Sequence, residues 1–244
     1  LHYEIHTSMH MLARMQGLEN AIRAYELCRQ AIYDIERIVT EVKSQSQFVF
    51  RPSFQYASFK KDIVSLSTEY ALRKQHGFDV EWLEASSIEK MFGIKAGGGI
   101  LSADGAEVDA YALTNDILFF LQKQGTPVYD QTTIETINHG RNGITLKTAA
   151  GHTIKCKKLV MACGYESQNY IPFKVCKLHS TYAIVSEPDG DKTWFEEAMI
   201  WETAMPYTYL RTTFDRRIVV GGPDDPWYNP KKRDAVLPKK PKVL

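Results

Sequence analysis

The sequence lacks several features that would assign a function at once. No run of about 18 apolar residues occurs, which excludes a transmembrane helix, and the first six residues are too polar for the core of a secretory signal. The positive charge exceeds the negative by only one, with 30 Lys and Arg against 29 Asp and Glu in 244 residues. No overall field would therefore attract nucleic acid or an anionic membrane, and we expect a globular protein with neither a membrane span nor a nucleic-acid partner.

Cysteine is also scarce, and the distribution of the cysteines argues against a fold held together by disulfides or by zinc. The chain holds four unevenly scattered cysteines and no C-x-x-C, so we expect neither a disulfide scaffold nor a zinc site. We therefore expect the four cysteines to be reduced thiols, which predicts a cytoplasmic location. Because the chain begins with Leu and ends abruptly in Pro-Lys-Val-Leu, we also expect it to be truncated at both ends.

Three patterns resemble functional motifs, but we expect none of them to bind a ligand. His2, His6 and His10 have helical spacing, but no acidic or cysteine ligand completes a metal set, so we expect exposed histidines and no metal. Gly97-Gly98-Gly99 is predicted to be a turn, since a strand follows it where a phosphate loop needs a helix. The basic segment 226–244 is expected to be a solvated tail.

The periodicity of apolar residues predicts a mixed order of helices and strands. A stripe repeating every three or four residues predicts a long amphipathic helix from Leu18 to Val42. Further helices are predicted over 58–77 and 109–125, and a single helical turn ends at 93. Strands are predicted over 48–50 and 54–57, paired as a ribbon, and over 80–83, 133–137, 144–148, 153–156, 179–187, 198–202, 207–213 and 217–220.

The three strands between 133 and 156 form a predicted β-meander that leads into an apolar run. Leu159 to Cys163 is apolar without interruption, which is typical of a strand buried on both faces of a parallel sheet. Such a strand would end at Gly164, where the small residues let a backbone approach a ligand at the carboxyl edge of the sheet. This end of the meander is the first candidate binding site.

The second candidate lies on a later strand. In Tyr-Thr-Tyr-Leu-Arg, alternation places Tyr207, Tyr209 and Arg211 on one face. A guanidinium flanked by phenols can bind a carboxylate. An arginine that only stacks on surface tyrosines would give the same pattern, so the residues alone leave both interpretations open.

Together these segments resemble the FAD-dependent oxidoreductases of the D-amino-acid oxidase family, which includes glycine and sarcosine oxidases. The similarity covers the helix entry at 107–113, the glycine-terminated helix and the meander that follows it. It continues through Ala162-Cys163-Gly164, with Cys in place of the family's Thr, and through 207–211 and 217–222. The order and spacing of these segments carry the resemblance more than any single motif.

The resemblance implies an α+β (mixed α/β) fold. It would combine a substrate-binding domain, with a large, mostly antiparallel mixed sheet and long helices, with the β-meander and return strand of an FAD-binding domain. The implied domain boundaries are 1–105 for substrate-domain helices and strands, 106–168 for the FAD-binding part, 169–225 for further substrate-domain strands, and 226–244 for the basic tail. Oligomeric state is not implied.

The resemblance also implies FAD as the cofactor. Ile134 stands where the family's backbone contacts adenine, and Ala162, Cys163 and Gly164 would lie along the nucleotide. The family's G-x-G-x-x-G segment and its closing glycine-rich segment are both absent from this sequence. We therefore expect this chain by itself to bind FAD poorly and to be inactive.

For the substrate, the resemblance implies a small amine, an amino acid or a related carboxylate. Arg211, with Tyr207 or Tyr209, would hold the carboxylate, and hydride transfer to the flavin would leave an imine for water to hydrolyse. No general base is identified, and none is needed if the amine is already neutral. A 2-hydroxy acid or glycerol phosphate would suit the same arginine, and a non-catalytic ligand- or protein-binding module is a third possibility.

Overall fold

The structure of the chain is a computed structural model that describes residues 1–188, 193–222 and 224–242. The backbone divides into two compact units. The first unit comprises Leu1–Ile117 and Leu178–Leu244, and the second comprises Leu118–Lys177. The predicted FAD-type segment 106–168 overlaps the second unit but does not share its boundaries.

The elements alternate between helices and strands along the chain. The helices are α1 Met9–Gln16, α2 Leu18–Val42, α3 Asp62–Gln75, α4 Ala85–Phe92, α5 Ala110–Lys123 and α6 Pro230–Val236, with 3-10 helices at Gly164–Tyr170, Phe195–Glu197 and Leu237–Lys242. The strands are β1 Val49–Phe50, β2 Ser53–Tyr56, β3 Val80–Glu84, β4 Gly98–Ser102, β5 Ala106–Glu107, β6 Ile134–Gly140, β7 Gly143–Thr148, β8 Thr153–Cys156, β9 Ala183–Val185, β10 Met199–Glu202, β11 Tyr209–Thr212 and β12 Ile218–Gly221.

The first unit is built on a seven-stranded sheet in the order β3-β4-β2-β10-β11-β12-β9. All neighbouring strands are antiparallel except β2 and β10, which run parallel. This mixed, mostly antiparallel sheet with long helices confirms the predicted fold class. Ile200 and Leu210 pack with Phe54 and α4 on one face, so their neighbours along β10 and β11 point to the opposite face.

A buried charge network joins the N-terminal segment to α3. The Arg73 guanidinium is 2.7 Å from a Glu69 oxygen and 3.4 Å from a Glu4 oxygen, and all three side chains are at most 2% exposed. The rings of Tyr3 and Tyr25 lie 5.7 and 5.4 Å from Arg73 Cζ. The network therefore replaces lost hydration with paired charges and aromatic faces, as a buried arginine requires.

The second unit contains the predicted meander but not the predicted strand after it. β6, β7 and β8 pair antiparallel in sequence order, which confirms the meander. Residues 159–163 form no strand, however, and Val160 is 84% exposed. No described strand flanks this run on either side, and an apolar segment is buried as a central strand only where neighbours cover it. Gly164 begins a 3-10 helix instead.

Two predictions about the first unit are also wrong, because pairing partners come from distant segments. Strands β1 and β2 do not form a ribbon together, since β1 pairs with β5 while β2 pairs with β4 and β10. Gly98 and Gly99 lie inside β4 instead of forming a turn. A Cβ atom at Gly98 would collide with the Trp82 ring, and one at Gly99 would lie 2.6 Å from the Phe54 ring. These glycines are needed for close packing.

Other expectations about single segments also need correction. His10 is half-buried and contacts Glu69, whereas His2 and His6 are exposed as expected. The basic tail is partly folded, since Lys240 Nζ lies 3.0 Å from Asp225 and 4.3 Å from the centre of the Tyr182 ring.

Within the described ranges, no helix combines the length and apolar character needed to cross a membrane.

Candidate functional site

A cavity of about 630 Å³ lies on the exposed face of β10 and β11 in the first unit. Its floor follows from strand alternation: Met199 and Trp201 on β10, and Tyr209 and Arg211 on β11, point away from the face that packs on α4. The walls come from the N-terminal segment and from residues near β9 and β12, and they include Leu1, His2, Glu4, His6, Thr181, Tyr207, Gly222 and Asp224.

The structure brings Tyr207, Tyr209 and Arg211 together at this cavity. Arg211 is exposed, and its Nη1 donates a hydrogen bond to the carbonyl oxygen of Thr212 at 3.2 Å. No carboxylate of the described residues forms an ion pair with its guanidinium. The negative charge of Glu107 interacts with Arg211 from beyond ion-pair distance, so the guanidinium is available to an anion that enters the cavity.

Aromatic rings line the cavity beside this arginine. The Tyr207 ring lies 6.3 Å from the Trp201 ring and 6.2 Å from the Tyr209 ring. Two histidines of the N-terminal segment extend the series, with His2 5.6 Å from Trp201 and His6 6.1 Å from Tyr207. The rings provide an apolar lining that removes water from around a bound ligand and strengthens its polar contacts.

Tyr207 can serve as a hydrogen-bond donor in this cavity. Burial raises the pKa of its phenol above the ordinary value, and the negative charge of Asp224 raises the pKa further. The phenol therefore keeps its proton at neutral pH. A protonated phenol beside Arg211 would donate to a carboxylate instead of repelling it.

Two glycines at the end of β12 make room for the tyrosines. Gly221 pairs with Tyr209 across the strands, and a Cβ atom at Gly221 would coincide with the Tyr209 ring. Gly222 has a φ of +99°, and a Cβ atom there would overlap the carbonyl oxygen of Tyr207. The Tyr209 ring and the Tyr207 backbone therefore both depend on the absence of these side chains.

Glu4 is a cavity residue that the sequence analysis missed. Burial opposes ionisation of its carboxyl group, but the contact with His2 and the charge of Arg73 outweigh burial and lower the pKa below its usual value. Glu4 therefore carries a buried negative charge at neutral pH. Nothing in the polar sequence around Glu4 indicates burial, because the partner, Arg73, is 69 residues away.

Of the four residues predicted to contact FAD, one lies in the lining of the cavity described for the second unit. Ile134 is half-buried at the start of β6, while Ala162 and Cys163 are exposed. Only Gly164 lines a cavity of about 550 Å³, which Met161 and other residues complete. No lysine or arginine lines it, and the described residues of this unit supply no α-helix N-terminus behind a glycine-rich turn. This lining does not fit a pyrophosphate. Because Val160 and Ala162 are exposed, the buried-strand argument for the site is withdrawn, and the contacts with FAD stay a prediction from the family resemblance.

Several solved structures share the fold of this chain. The chain is similar to L-proline dehydrogenase from P. horikoshii, with a TM-score of 0.68, 14% identity and coverage of 82% of this chain and 56% of that chain. It is also similar to glycine oxidase from Geobacillus kaustophilus, with a TM-score of 0.65, 15% identity and coverage of 86% and 56%. A third similar structure is glycine oxidase from Bacillus cereus, with a TM-score of 0.67, 16% identity and coverage of 88% and 62%.

Sequence comparison assigns the family. No curated protein sequence matches the chain, and the chain spans less than two thirds of the length of the solved structures that resemble it. The sequence profile of DAO, described as FAD dependent oxidoreductase, nevertheless matches residues 5–241, which is nearly the entire chain. The chain therefore belongs to the DAO family of FAD dependent oxidoreductases.

Proposed function

We propose that this chain supplies the substrate-binding part of an FAD-dependent oxidoreductase that acts on an amine or amino acid. The single observation that carries the proposal is Arg211, an arginine on the floor of an aromatic cavity that forms no ion pair with the described residues. The names of the similar structures support the same substrate class, since they include glycine oxidases, an amino acid oxidase and an L-amino acid deaminase.

In this proposal the cavity residues bind and orient the substrate. The planar guanidinium of Arg211 takes the carboxylate through two parallel hydrogen bonds, and the Tyr207 and Tyr209 hydroxyls donate to the same group. The rings of Tyr207, Tyr209 and Trp201 exclude water from it. Oxidation at the carbon that bears the amine is assigned to the FAD of the family, and orientation by the clamp is this chain's contribution.

Removal of the Arg211 charge tests the proposed clamp. We expect Arg211→Ala to weaken binding of 3-phenylpropionate to the 244-residue chain by about tenfold or more, because a hydrogen-bonded charge pair contributes about 1.5–3 kcal/mol. Binding of 2-phenylethylamine, which lacks the carboxylate, should stay within about twofold of wild type. Titration calorimetry measures both affinities.

Two further variants make this test specific. Arg211→Lys keeps the charge but loses the planar fork, so it should recover only part of the affinity for 3-phenylpropionate. Arg14→Ala removes an exposed arginine of α1 that does not line the cavity and should leave both affinities unchanged. Equal losses for the acid and the amine in Arg211→Ala would rule out a carboxylate clamp.

We also propose that FAD contacts Ile134 and Ala162–Gly164 in the whole protein, a proposal that rests on the family resemblance alone. The sequence holds no G-x-G-x-x-G to place a pyrophosphate at a helix N-terminus. We therefore expect the 244-residue chain to be colourless and to bind FAD no tighter than about 1 mM, or about −4 kcal/mol. A flavin absorbance spectrum that copurifies with this chain would contradict the expectation.

A further inference from the structure

The cavity that contains Arg211 also contains a buried carboxylate oxygen without a hydrogen-bond donor. The Glu4 side chain is only 2% exposed and is part of the cavity lining. Its Oε1 lies 3.4 Å from Arg73 Nη1. Its Oε2 accepts no hydrogen bond from the described residues, and His2 Nδ1 lies 3.4 Å from it.

An oxygen of this kind has a strong preference for a cationic donor. A buried carboxylate oxygen that gives up its hydration without gaining a donor costs free energy, and an N⁺–H donor satisfies it better than a neutral one. The lowered pKa of Glu4 keeps the carboxylate ionised at neutral pH. The cavity lining thus contains a cation that forms no ion pair with the described residues, Arg211, and a carboxylate oxygen that accepts no hydrogen bond from them, Glu4 Oε2.

We propose that Glu4 binds the ammonium group of a zwitterionic amino acid whose carboxylate is held by Arg211, in a complex that forms before the ammonium loses a proton to water and becomes the neutral amine that hydride transfer requires. This inference rests on the proposed function and narrows the substrate class. A 2-hydroxy acid or glycerol phosphate has an anion for Arg211 but no cation for Glu4. An amino acid satisfies both charges of the cavity at once, so the geometry favours the amine over these alternatives.

In this proposal the His2 imidazole, which lies next to Glu4 Oε2, rotates away when the ligand binds. The His2 side chain is 42% exposed while that of Glu4 is 2% exposed, so the imidazole can rotate into solvent without disturbing the Arg73 network. The His2 ring lies 5.6 Å from the ring of Trp201, a residue of the cavity floor. An ammonium group that displaces the imidazole gains the position next to Glu4 Oε2.

A matched set of ligands tests the proposal on the wild-type chain without any mutation. Phenylalanine carries both charges, 3-phenyllactate replaces the ammonium with a hydroxyl, 3-phenylpropionate has only the carboxylate, and 2-phenylethylamine has only the ammonium. Titration calorimetry with each ligand, using both enantiomers of the chiral ones, gives the affinities. We expect phenylalanine to bind about tenfold or more tightly than phenyllactate, since a charge-assisted hydrogen bond is about twice as strong as a neutral one. Equal affinities for phenylalanine and phenyllactate would overturn the proposal.

Glu4→Gln then assigns the preference to one residue. This variant keeps the shape of the side chain and an oxygen for Arg73, and circular dichroism establishes that it is folded. We expect it to lose the preference for phenylalanine over phenyllactate and to bind 2-phenylethylamine about tenfold more weakly, while its affinity for 3-phenylpropionate is unchanged. An equal loss for all four ligands would show a general disruption of the cavity and would overturn the proposal.

Two control variants separate Glu4 from other groups. Glu19→Gln removes an exposed carboxylate of α2 that does not line the cavity and should change amine binding by less than about twofold, because water screens its charge. His2→Ala removes the imidazole and should leave amine binding equal or stronger. Loss of amine binding in either control, with retention in Glu4→Gln, would overturn the assignment. Arg211→Ala weakens only the ligands that have a carboxylate, so failure of the clamp is distinguishable from failure of the ammonium site.

Discussion

At the scale of single residues, Gly221 shapes the cavity through the side chain that it lacks. The Tyr209 ring occupies the position that a Cβ atom on Gly221 would take. We expect Gly221→Ala to lower the free energy of unfolding by about 1–3 kcal/mol, as overpacking does, and to weaken binding of 3-phenylpropionate because Tyr209 must move. Gly140→Ala is the matched control, since a Cβ atom there lies 3.4 Å from its nearest neighbour. Urea unfolding and calorimetry measure the two effects, and identical results for both variants would contradict the account.

At the scale of secondary-structure elements, the start of α1 depends on a side chain from another helix. The backbone N–H groups of Met9 and His10 donate to the two carboxylate oxygens of Glu69 at 2.9 and 2.8 Å. Ser8 lies at the N-cap position and is of a type preferred there, but its side chain makes no capping bond. The carboxylate of α3 therefore satisfies donors that a helix start leaves free.

This arrangement predicts a large loss of stability for one substitution and almost none for another. Glu69→Gln leaves the Arg73 charge incompletely paired, so we expect a loss of about 3–5 kcal/mol in the free energy of unfolding at pH 7. Ser8→Ala should change stability by less than about 0.5 kcal/mol, because the Ser8 hydroxyl makes no hydrogen bond to the described residues. Urea unfolding of both variants is the measurement. A larger loss in Ser8→Ala than in Glu69→Gln would show that Ser8 caps the helix.

At the scale of the whole molecule, the same network makes stability depend on pH. Burial tends to raise the pKa of Glu69, but the charge of Arg73 and the hydrogen bonds from His10 and Met9 outweigh it and lower the pKa. A carboxyl group whose pKa is lower in the folded state stabilises the fold above its unfolded pKa, about 4.3. That contribution is lost as the pH falls through the folded pKa.

We therefore expect the stability difference between wild type and Glu69→Gln to be largest near pH 7 and to shrink as the pH falls below about 4. Urea unfolding of the two proteins at a series of pH values measures this difference directly, and the other carboxylates cancel between them. A difference that stays constant from neutral to acid pH would contradict the assigned role of the Glu69 charge.

The sequence alone determined the features that depend on local periodicity. Apolar spacing located α2 and the meander β6–β8, and alternation put Tyr209 and Arg211 on one side of β11, while Tyr207 reaches the same cavity from just before that strand. Each of these follows from side chains within a few residues of each other. The resemblance that identified the family also rests on such segments, and the family assignment confirms it.

Only the tertiary structure decided which segments meet. It paired β2 with β10 from nearly 150 residues away and left the apolar run 159–163 without flanking strands in the described chain. It also brought Glu4 into one cavity with Arg211. The reason is physical: periodicity fixes the face on which a side chain lies, whereas burial and charge pairing depend on partners far along the chain.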